Sequence, residues 1–251
     1  MKVKNIILIG IILMITLIII SCNIEYLGPD IAEEEAKKIN FFVYQIHLPA
    51  TNGGGPFKCP VIYDAIGRSG GSRLGIRGII NRATIVSIAD CLRKIPDRHV
   101  FLYAENVVIN EADKRWPGYS FTNVTNLTGV YFPAGMDAIG TNAFYNCTAL
   151  EAIILGTNFK VMYPRMLAGV TNLHHVVYYG SRLDFTGANN GDAWEGIPSE
   201  QMTLYLGNFD GYQETNSGGK KYTTTNWARY TWKKVYYKGQ FSIEDIIEVL
   251  E

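Results

Sequence analysis

A 23-residue period in the middle of the chain constrains its fold more than any other feature of the sequence. Five apolar columns advance by 23 residues twice. All their positions carry apolar side chains: Phe121, Val124, Leu127, Val130, Phe132; Phe144, Cys147, Leu150, Ile153, Leu155; Leu167, Val170, Leu173, Val176 and Tyr178. A strand-and-turn unit of this length cannot bury its apolar edge alone and needs neighbours above and below it. The period therefore predicts a stack of coils whose strands pair in parallel.

Alternation within each repeat predicts which side chains of the strand face the core. Ile153 and Leu155 are expected to point inward, and Ala152 and Ile154 to point to the opposite, exposed face. We therefore expect Ile153→Ala to destabilise the fold and Ala152 or Ile154 to tolerate polar substitution. The outward positions of the three repeats are Gly129, Tyr131, Ala152, Ile154, His175 and Val177.

Further positions extend the pattern downstream. Ile139 and Met162 form a sixth column, also 23 residues apart. Trp194 and Ile197 are three residues apart, like the first apolar positions of the earlier repeats. The strand-like residues 202–206 match the strand positions of those repeats only if one residue is inserted before them.

A looser row is expected upstream of the three clear ones. Val107 and Ile109 fall 23 residues before Val130 and Phe132. This spacing predicts that they form the preceding strand of the stack.

The best-defined repeat carries a family resemblance. Residues 139–155 fit the pattern I-G-x-x-A-F-x-x-C-x-x-L-x-x-I-x-L, which resembles the repeat of BspA-type bacterial surface leucine-rich-repeat proteins. The match is partial in the neighbouring repeats, where Val124 and Val170 replace the Cys and Leu167 replaces the Phe. Repeat-like sequence covers about residues 100–206.

The resemblance implies an α/β leucine-rich-repeat solenoid, right-handed and displayed at a bacterial envelope for adhesion or protein contact. We expect a short stack of about four to five coils with one parallel β-sheet, an irregular N-terminal segment and a C-terminal capping unit. Residues 212–237 resemble the closing unit of such proteins. The resemblance also implies that the chain is not an enzyme and needs no cofactor.

The N-terminus predicts export. Lys2 and Lys4 precede an apolar run over residues 6–20, and a helix over that run would rise about 22 Å, less than the roughly 30 Å hydrocarbon core of a bilayer. The residues before Cys22 resemble a bacterial lipobox, which implies that Cys22 becomes the lipidated N-terminus. An ordinary signal peptide or a short anchor that happens to end in Cys is the alternative.

These features predict five segments. A lipoprotein signal peptide spans 1–21, a tether with a short charged helix spans 22–50, and an irregular segment that caps the solenoid spans 51–99. The solenoid spans 100–238 and a C-terminal helix spans 239–251. Ser242 and Asp245 resemble a capping box at the start of that helix, and its apolar face is expected to comprise Ile243, Ile246, Ile247 and Leu250.

Charge and motif content argue against several other functions. The chain has 23 basic and 23 acidic side chains, which does not favour nucleic-acid binding, because that needs clustered, uncompensated cations. His174 and His175 are adjacent on a strand and should point to opposite faces, which suits a surface pair better than a metal site. The glycine-rich segment 67–75 lacks the Gly-Lys-Ser/Thr of a phosphate-binding loop.

The four cysteines have separate expected roles. Cys147 occupies a repeat column and is expected to be a buried small apolar residue. Cys59 and Cys91 either form a disulfide, which an exported location permits, or remain free thiols.

A ligand site is expected at outward strand positions or in loops that interrupt the period. The loops 184–194 and 207–221 are mixed polar and aromatic, so we expect binding to depend on them and on Trp194 more than on the sheet. The candidate ligand-binding residues are Tyr131, Ile154, His175, Val177, Asn189, Asn190, Asp192 and Trp194. The dense tyrosines and tryptophans of residues 212–237 either cap the last coil or contact a partner.

The combined features favour a non-catalytic cell-envelope lipoprotein whose solenoid is a protein-binding or adhesion module. Its expected partners are a host or neighbouring-cell protein and the membrane, reached through the N-terminal lipid at the outer membrane or cell surface. The alternative is a periplasm-facing structural scaffold with no host ligand. An envelope hydrolase is the third hypothesis, but no nucleophile or acid/base set stands at motif spacing.

Overall fold

The computed structural model describes residues 45–47, 57–110, 114–180, 190–208, 227–228 and 230–249. The predicted signal peptide, Cys22 and nearly all of the predicted tether lie outside the described residues. Among the residues described, no helix is both long enough and apolar enough to span a bilayer.

One parallel sheet runs through the whole described region, in the strand order β1-β2-β3-β6-β8-β10-β11-β12, with β4 paired to β2. A smaller parallel sheet has the order β5-β7-β9. The strands are β1 (Gln45–His47), β2 (Arg73–Ile80), β3 (Val100–Tyr103), β4 (Val107–Ile109), β5 (Arg115–Trp116), β6 (Leu127–Tyr131), β7 (Ala138–Ile139), β8 (Ala152–Leu155), β9 (Val161–Met162), β10 (His175–Tyr178), β11 (Thr203–Leu206) and β12 (Lys234–Tyr237).

The pairing register confirms the 23-residue period. Val130 of β6 pairs with Ile153 of β8, which pairs with Val176 of β10. In the smaller sheet Ile139 pairs with Met162, as the sixth column predicts. The inward columns, including all fifteen positions of the three clear repeats, form one continuous buried core.

The predicted upstream row is wrong. Val107 and Ile109 lie in β4, which pairs with Gly78 and Ile80 of β2 and not with β6. The neighbour of β6 is β3, in which Leu102 pairs with Val130, 28 residues later. The connection between these two strands is longer than in the two 23-residue repeats that follow, so extrapolating a fixed period selects the wrong apolar pair.

Residues 57–99, predicted to be irregular, contain two helices on either side of β2. Helix α1 spans Cys59–Arg68 and helix α2 spans Arg82–Arg93. Asn81 caps α2, its side chain accepting a hydrogen bond from the Thr84 backbone N–H at 3.0 Å. A disulfide between Cys59 and Cys91 joins the two helices, with 5.1 Å between their Cα atoms.

The glycine-rich segment 67–75 is the turn between α1 and β2. Gly70 and Gly71 have φ values of 80° and 94°, a left-handed region that favours glycine. The Gly71 N–H donates to the Ile66 carbonyl at 2.8 Å and so ends the helix. These glycines therefore serve the backbone of a turn.

Left-handed residues recur at the turns of the coils with the same period. Asn123, Asn146 and Gly169 have φ values of 60°, 58° and 76°. The Asn146 side-chain amide donates to the Asn123 side-chain oxygen at 2.8 Å. Asparagine tolerates this conformation because its short polar side chain can bond locally, so the turns stack as regularly as the strands.

Cys147 lies in the core, as its column predicts. Its thiol donates to the Phe121 carbonyl at 3.0 Å, and burial raises its pKa to about 12. The residue therefore acts as a small apolar side chain with one hydrogen bond to the preceding coil.

The described chain ends in helix α3, Ile243–Val249, inside the predicted range 239–251. The Asp245 backbone N–H donates to Ser242 Oγ at 3.1 Å, as the capping-box pattern predicts.

Candidate interaction surface

The outer face of the large sheet is the side that points away from the continuous core. Strand alternation places on it Phe101, Tyr103, Gly129, Tyr131, Ala152, Ile154, His175, Val177, Thr203, Tyr205 and Tyr236. None of these side chains belongs to the continuous core. The face is therefore a separate surface, aromatic at both ends and aliphatic in the middle.

Glycines on the outer face make room for aromatic rings. A Cβ atom at Gly129 would lie 2.3 Å from Cε2 of Phe101, so the ring of β3 lies directly over the backbone of β6. The Phe101 and Tyr103 ring centroids are 4.7 Å apart. Gly207 is covered in the same way by Tyr179, whose Cε1 would lie 2.3 Å from an added Cβ.

Two tyrosines near the ends of the central strands lie within electrostatic range of two carboxylates. Burial, followed by the negative charge of Glu105, raises the pKa of Tyr131. Burial and the charge of Glu244 raise the pKa of Tyr179. Both phenols therefore stay protonated at physiological pH and can donate hydrogen bonds to carboxylates.

Stacked rings occupy the other end of the face. The Tyr205 ring stacks on Tyr236, with centroids 5.3 Å apart and 13° between the planes. Nδ1 of His175 lies 3.0 Å from the Tyr205 hydroxyl. Burial, followed by the proximity of His174, lowers the pKa of His175. Burial, followed by Tyr236, raises the pKa of Tyr205 to about 12.

The expectation that this face is exposed is wrong at its centre. Ile154 and Val177 are 0% exposed, and Ala152 is equally buried. Tyr131 and His175 are half-buried. Alternation correctly predicts which side each residue faces, but it does not predict that the centre of that side is inaccessible to solvent.

Residues of the C-terminal segment pack against the outer face. The Phe241 ring packs edge-on against Tyr205, with centroids 5.1 Å apart. The charge of Glu244 acts on the phenols of both Tyr131 and Tyr179. Ile246 and Ile247 of α3 are 5% and 4% exposed, yet they lie outside the continuous core. Helix α3 therefore lies against the outer face.

The loop residues predicted to bind a ligand are in a different position. Trp194 is 2% exposed and belongs to the core. Its indole N–H donates to the Ala228 carbonyl at 3.3 Å, and its ring meets Trp232 edge-on at 5.2 Å. The expectation that Trp194 is available to a partner is therefore wrong. Trp194 and Ile197 keep the spacing of the inward residues of the earlier repeats, and this spacing places the large indole ring inside the coil.

The other predicted loop residues are only partly described. Asp192 is exposed in a 3₁₀ helix, Asn190–Trp194. Asn190 begins that helix, and Asn189 lies outside the described residues, as do 184–188 and 209–221 of the two loops. A ligand role for Asn189, Asn190 and Asp192 stays a prediction.

The histidine pair is split between two environments. His174 is exposed, whereas His175 lies on the outer face, and their ring centroids are 6.3 Å apart. Within the described part of the chain, no group of three or more His, Cys, Asp or Glu side chains is placed to hold a metal ion.

Comparison with known proteins identifies the repeats. Residues 99–187 match the model of the BspA type leucine rich repeat region, in six copies. No curated protein and no solved structure matches the chain. The matched span contains β3 to β10, so the chain contains a leucine-rich-repeat region of this type within a largely parallel α/β repeat fold. Such regions are generally non-catalytic modules for protein contact.

Proposed function

We propose that this chain is a non-catalytic, lipid-anchored protein of the bacterial cell envelope that binds another protein through its solenoid. The observation that carries the proposal is the repeat region itself, because its large sheet presents an aromatic and aliphatic face that takes no part in the core. Aromatic side chains dominate protein interfaces, where they bury large area and keep a polar end.

The disulfide supports an exported location. Disulfides persist in oxidising compartments and are rare in the cytosol, and Cys59 and Cys91 are joined. The lipobox-like residues before Cys22 supply the anchor in this proposal, with the partner a host or neighbouring-cell protein. The stack comprises about four to five coils.

Ring packing at the end of the stack supports the C-terminal capping unit. Trp194, Trp227 and Tyr230 surround Trp232, with centroids between 5.2 and 5.7 Å from it. These rings cover the apolar edge that the last coil would otherwise leave open. Capping therefore accounts for them better than contact with a partner does.

Labelling with radioactive palmitate tests the anchor. We expect the wild type to be labelled and Cys22→Ala to be unlabelled and released from the membrane fraction. A membrane-impermeant amine reagent applied to intact cells should label the wild type. Labelling that appears only after the envelope is opened would favour the periplasm-facing scaffold.

Photo-crosslinking on intact cells tests the binding surface. We expect captured partner protein to be lost with Tyr131→Ser and retained with Tyr119→Ser, a matched change at a loop tyrosine that is exposed. Retention with Tyr131→Ser and loss after changes at Asn189, Asn190 and Asp192 would place the site in the loops instead.

A further inference from the structure

The outer face is apolar and buried, although no repeat covers it. Ile154 and Val177 lie on neighbouring strands, paired through their backbones, and both are fully inaccessible. An apolar sheet face of this kind must be covered or it becomes a site of association. The segment that covers it therefore determines when the face can bind anything else.

The C-terminal helix has the side-chain pattern of a helix that binds in a groove. Ile243, Ile246 and Ile247 have the spacing of one helical face, and Ile246 and Ile247 are almost completely buried. Glu244 and Asp245 are exposed, and Glu244 is close enough to act on the two outer-face phenols. An apolar pair on an acidic helix thus complements an aliphatic strip flanked by hydroxyl donors.

This cover is weakly built compared with the stack beneath it. Helix α3 has only seven residues, below the roughly 12–15 that make an isolated helix even marginally stable in water. It follows β12 through Gly239, whose φ of 78° marks a turn. A short element joined to the sheet through one turn opens at a lower free energy than the core unfolds.

We propose that the outer face is a receptor for an amphipathic acidic helix, and that residues 239–249 occupy it in cis as a displaceable cover. The inference rests on the proposed protein-binding function and specifies its site and partner. A partner presenting two adjacent aliphatic side chains and an acidic residue on one helix displaces α3 and takes its place. The free chain is therefore closed, and binding has to overcome the free energy of the cis contact.

Thiol accessibility of two neighbouring residues tests the cover. Val176 and Val177 are both 0% exposed, but Val176 belongs to the core whereas Val177 lies on the outer face, which the proposal places beneath α3. In the full chain with Cys22→Ser and Cys147→Ala, we expect Val177→Cys to react with a maleimide at least about tenfold faster than Val176→Cys, because opening of the helix exposes only the former. Adding Ile246→Asp should accelerate Val177→Cys further and leave Val176→Cys unchanged.

Asp245→Ala is the matched control for Ile246→Asp, since Asp245 lies on the exposed side of the same helix and should leave both rates unchanged. Equal rates at positions 176 and 177 would overturn the cover. That comparison uses the native helix and stands even if Ile246→Asp impairs folding.

A peptide added in trans tests the receptor. A fluorescent peptide of residues 239–251 should bind the full-length Ile246→Asp protein at least about tenfold more tightly than the wild type, whose own helix competes. The same peptide carrying Ile246→Asp should bind neither protein. Failure of the unmodified peptide to bind the opened protein would overturn the receptor.

Failure of these two tests is distinguishable from failure of the proposed function. Partner capture that is lost with Tyr131→Ser, together with equal thiol rates at 176 and 177, would keep the protein-binding function and reject the cover. Unequal thiol rates and peptide binding without any palmitate label would keep the cover and reject the lipid anchor.

Discussion

Gly140 shows how closely adjacent coils approach one another. Its N–H donates to the Trp116 carbonyl at 2.8 Å, and an added Cβ would lie 2.4 Å from the Gly118 nitrogen. The neighbouring atom is backbone and cannot rotate away as a side chain can. The Ile-Gly pair at the start of the best-defined repeat therefore reflects backbone contact between coils.

We predict that Gly140→Ala lowers the free energy of unfolding by about 1–3 kcal/mol, the usual cost of overpacking. Gly135→Ala is the control, because nothing lies within 4 Å of a Cβ at that position, and it should change stability by less than about 0.5 kcal/mol. Urea titration of both variants measures the difference. Equal stability would show that the coils separate easily at this point.

His175 makes stability depend on pH. Its lowered pKa means that the folded protein resists protonation, whereas the unfolded chain takes up a proton near the ordinary value of 6.5. This contribution is complete above about pH 6.5 and is lost as the pH falls below it. We predict that His175→Gln loses less stability than the wild type between about pH 7.5 and pH 5.

His99→Gln provides the matched control for that measurement, because His99 is exposed directly before β3. The urea midpoint of His99→Gln should change between about pH 7.5 and pH 5 as much as that of the wild type. An identical pH dependence for His175→Gln and the wild type would contradict the buried environment assigned to His175.

Two neighbouring isoleucines of strand β8 are buried in different surroundings. Ile153 belongs to the continuous core and Ile154 does not, although both are fully buried. We predict that Ile153→Ala costs about 2–5 kcal/mol, the range for a truncated core aliphatic residue. Val108→Ala, at a position 62% exposed, should cost less than about 0.5 kcal/mol.

For Ile154 we expect a smaller loss of global stability than for Ile153, because the cover can separate while the stack stays folded. Chemical denaturation of the three variants gives the order. A loss at Ile154 as large as that at Ile153 would show that α3 and the stack unfold as one unit.

The two N-terminal helices depend on their disulfide. Cys59 and Cys91 are 32 residues apart, and in the chain-entropy account closing a loop of that length stabilises the fold by about 3–4 kcal/mol. We predict that the Cys59→Ser/Cys91→Ser protein is less stable by up to this amount in urea. A reductant should lower the stability of the wild type and leave that of the variant unchanged; equal stability without reductant would contradict the assignment.

Period and alternation predict the elements that repeat, and fail where an element does not. The column containing Val130, Ile153 and Val176 gives the correct register, because each coil packs the same positions against the coils beside it. The same arithmetic misplaces Val107, since the connection before β6 is longer. It also leaves Ile154 exposed, because the repeats do not specify what packs over the outer face, which in our proposal is the distant helix α3.

Considered as a whole molecule, the chain is organised by one property of the stack. Each coil commits one set of strand residues to the core and leaves the other on the outer face. The binding surface, its cover and the differing costs of substitutions in β8 all follow from that division. The division holds only if repeats that are 23 residues apart lie directly beside one another.

A disulfide between adjacent coils tests this register most directly. The Asn123 and Asn146 side chains are 23 residues apart and 2.8 Å from each other, so the account predicts that Asn123→Cys/Asn146→Cys oxidises to an intramolecular 123–146 bond, mapped by mass spectrometry of the folded monomer. Asn123→Cys/Asn172→Cys pairs residues that are two coils apart and three residues out of register, so their separation is at least roughly 9.6 Å at about 4.8 Å per strand, beyond the approximately 7 Å reach of a disulfide, and the pair should stay reduced. Absence of the 123–146 bond, or equally ready formation of 123–172, would contradict the stack.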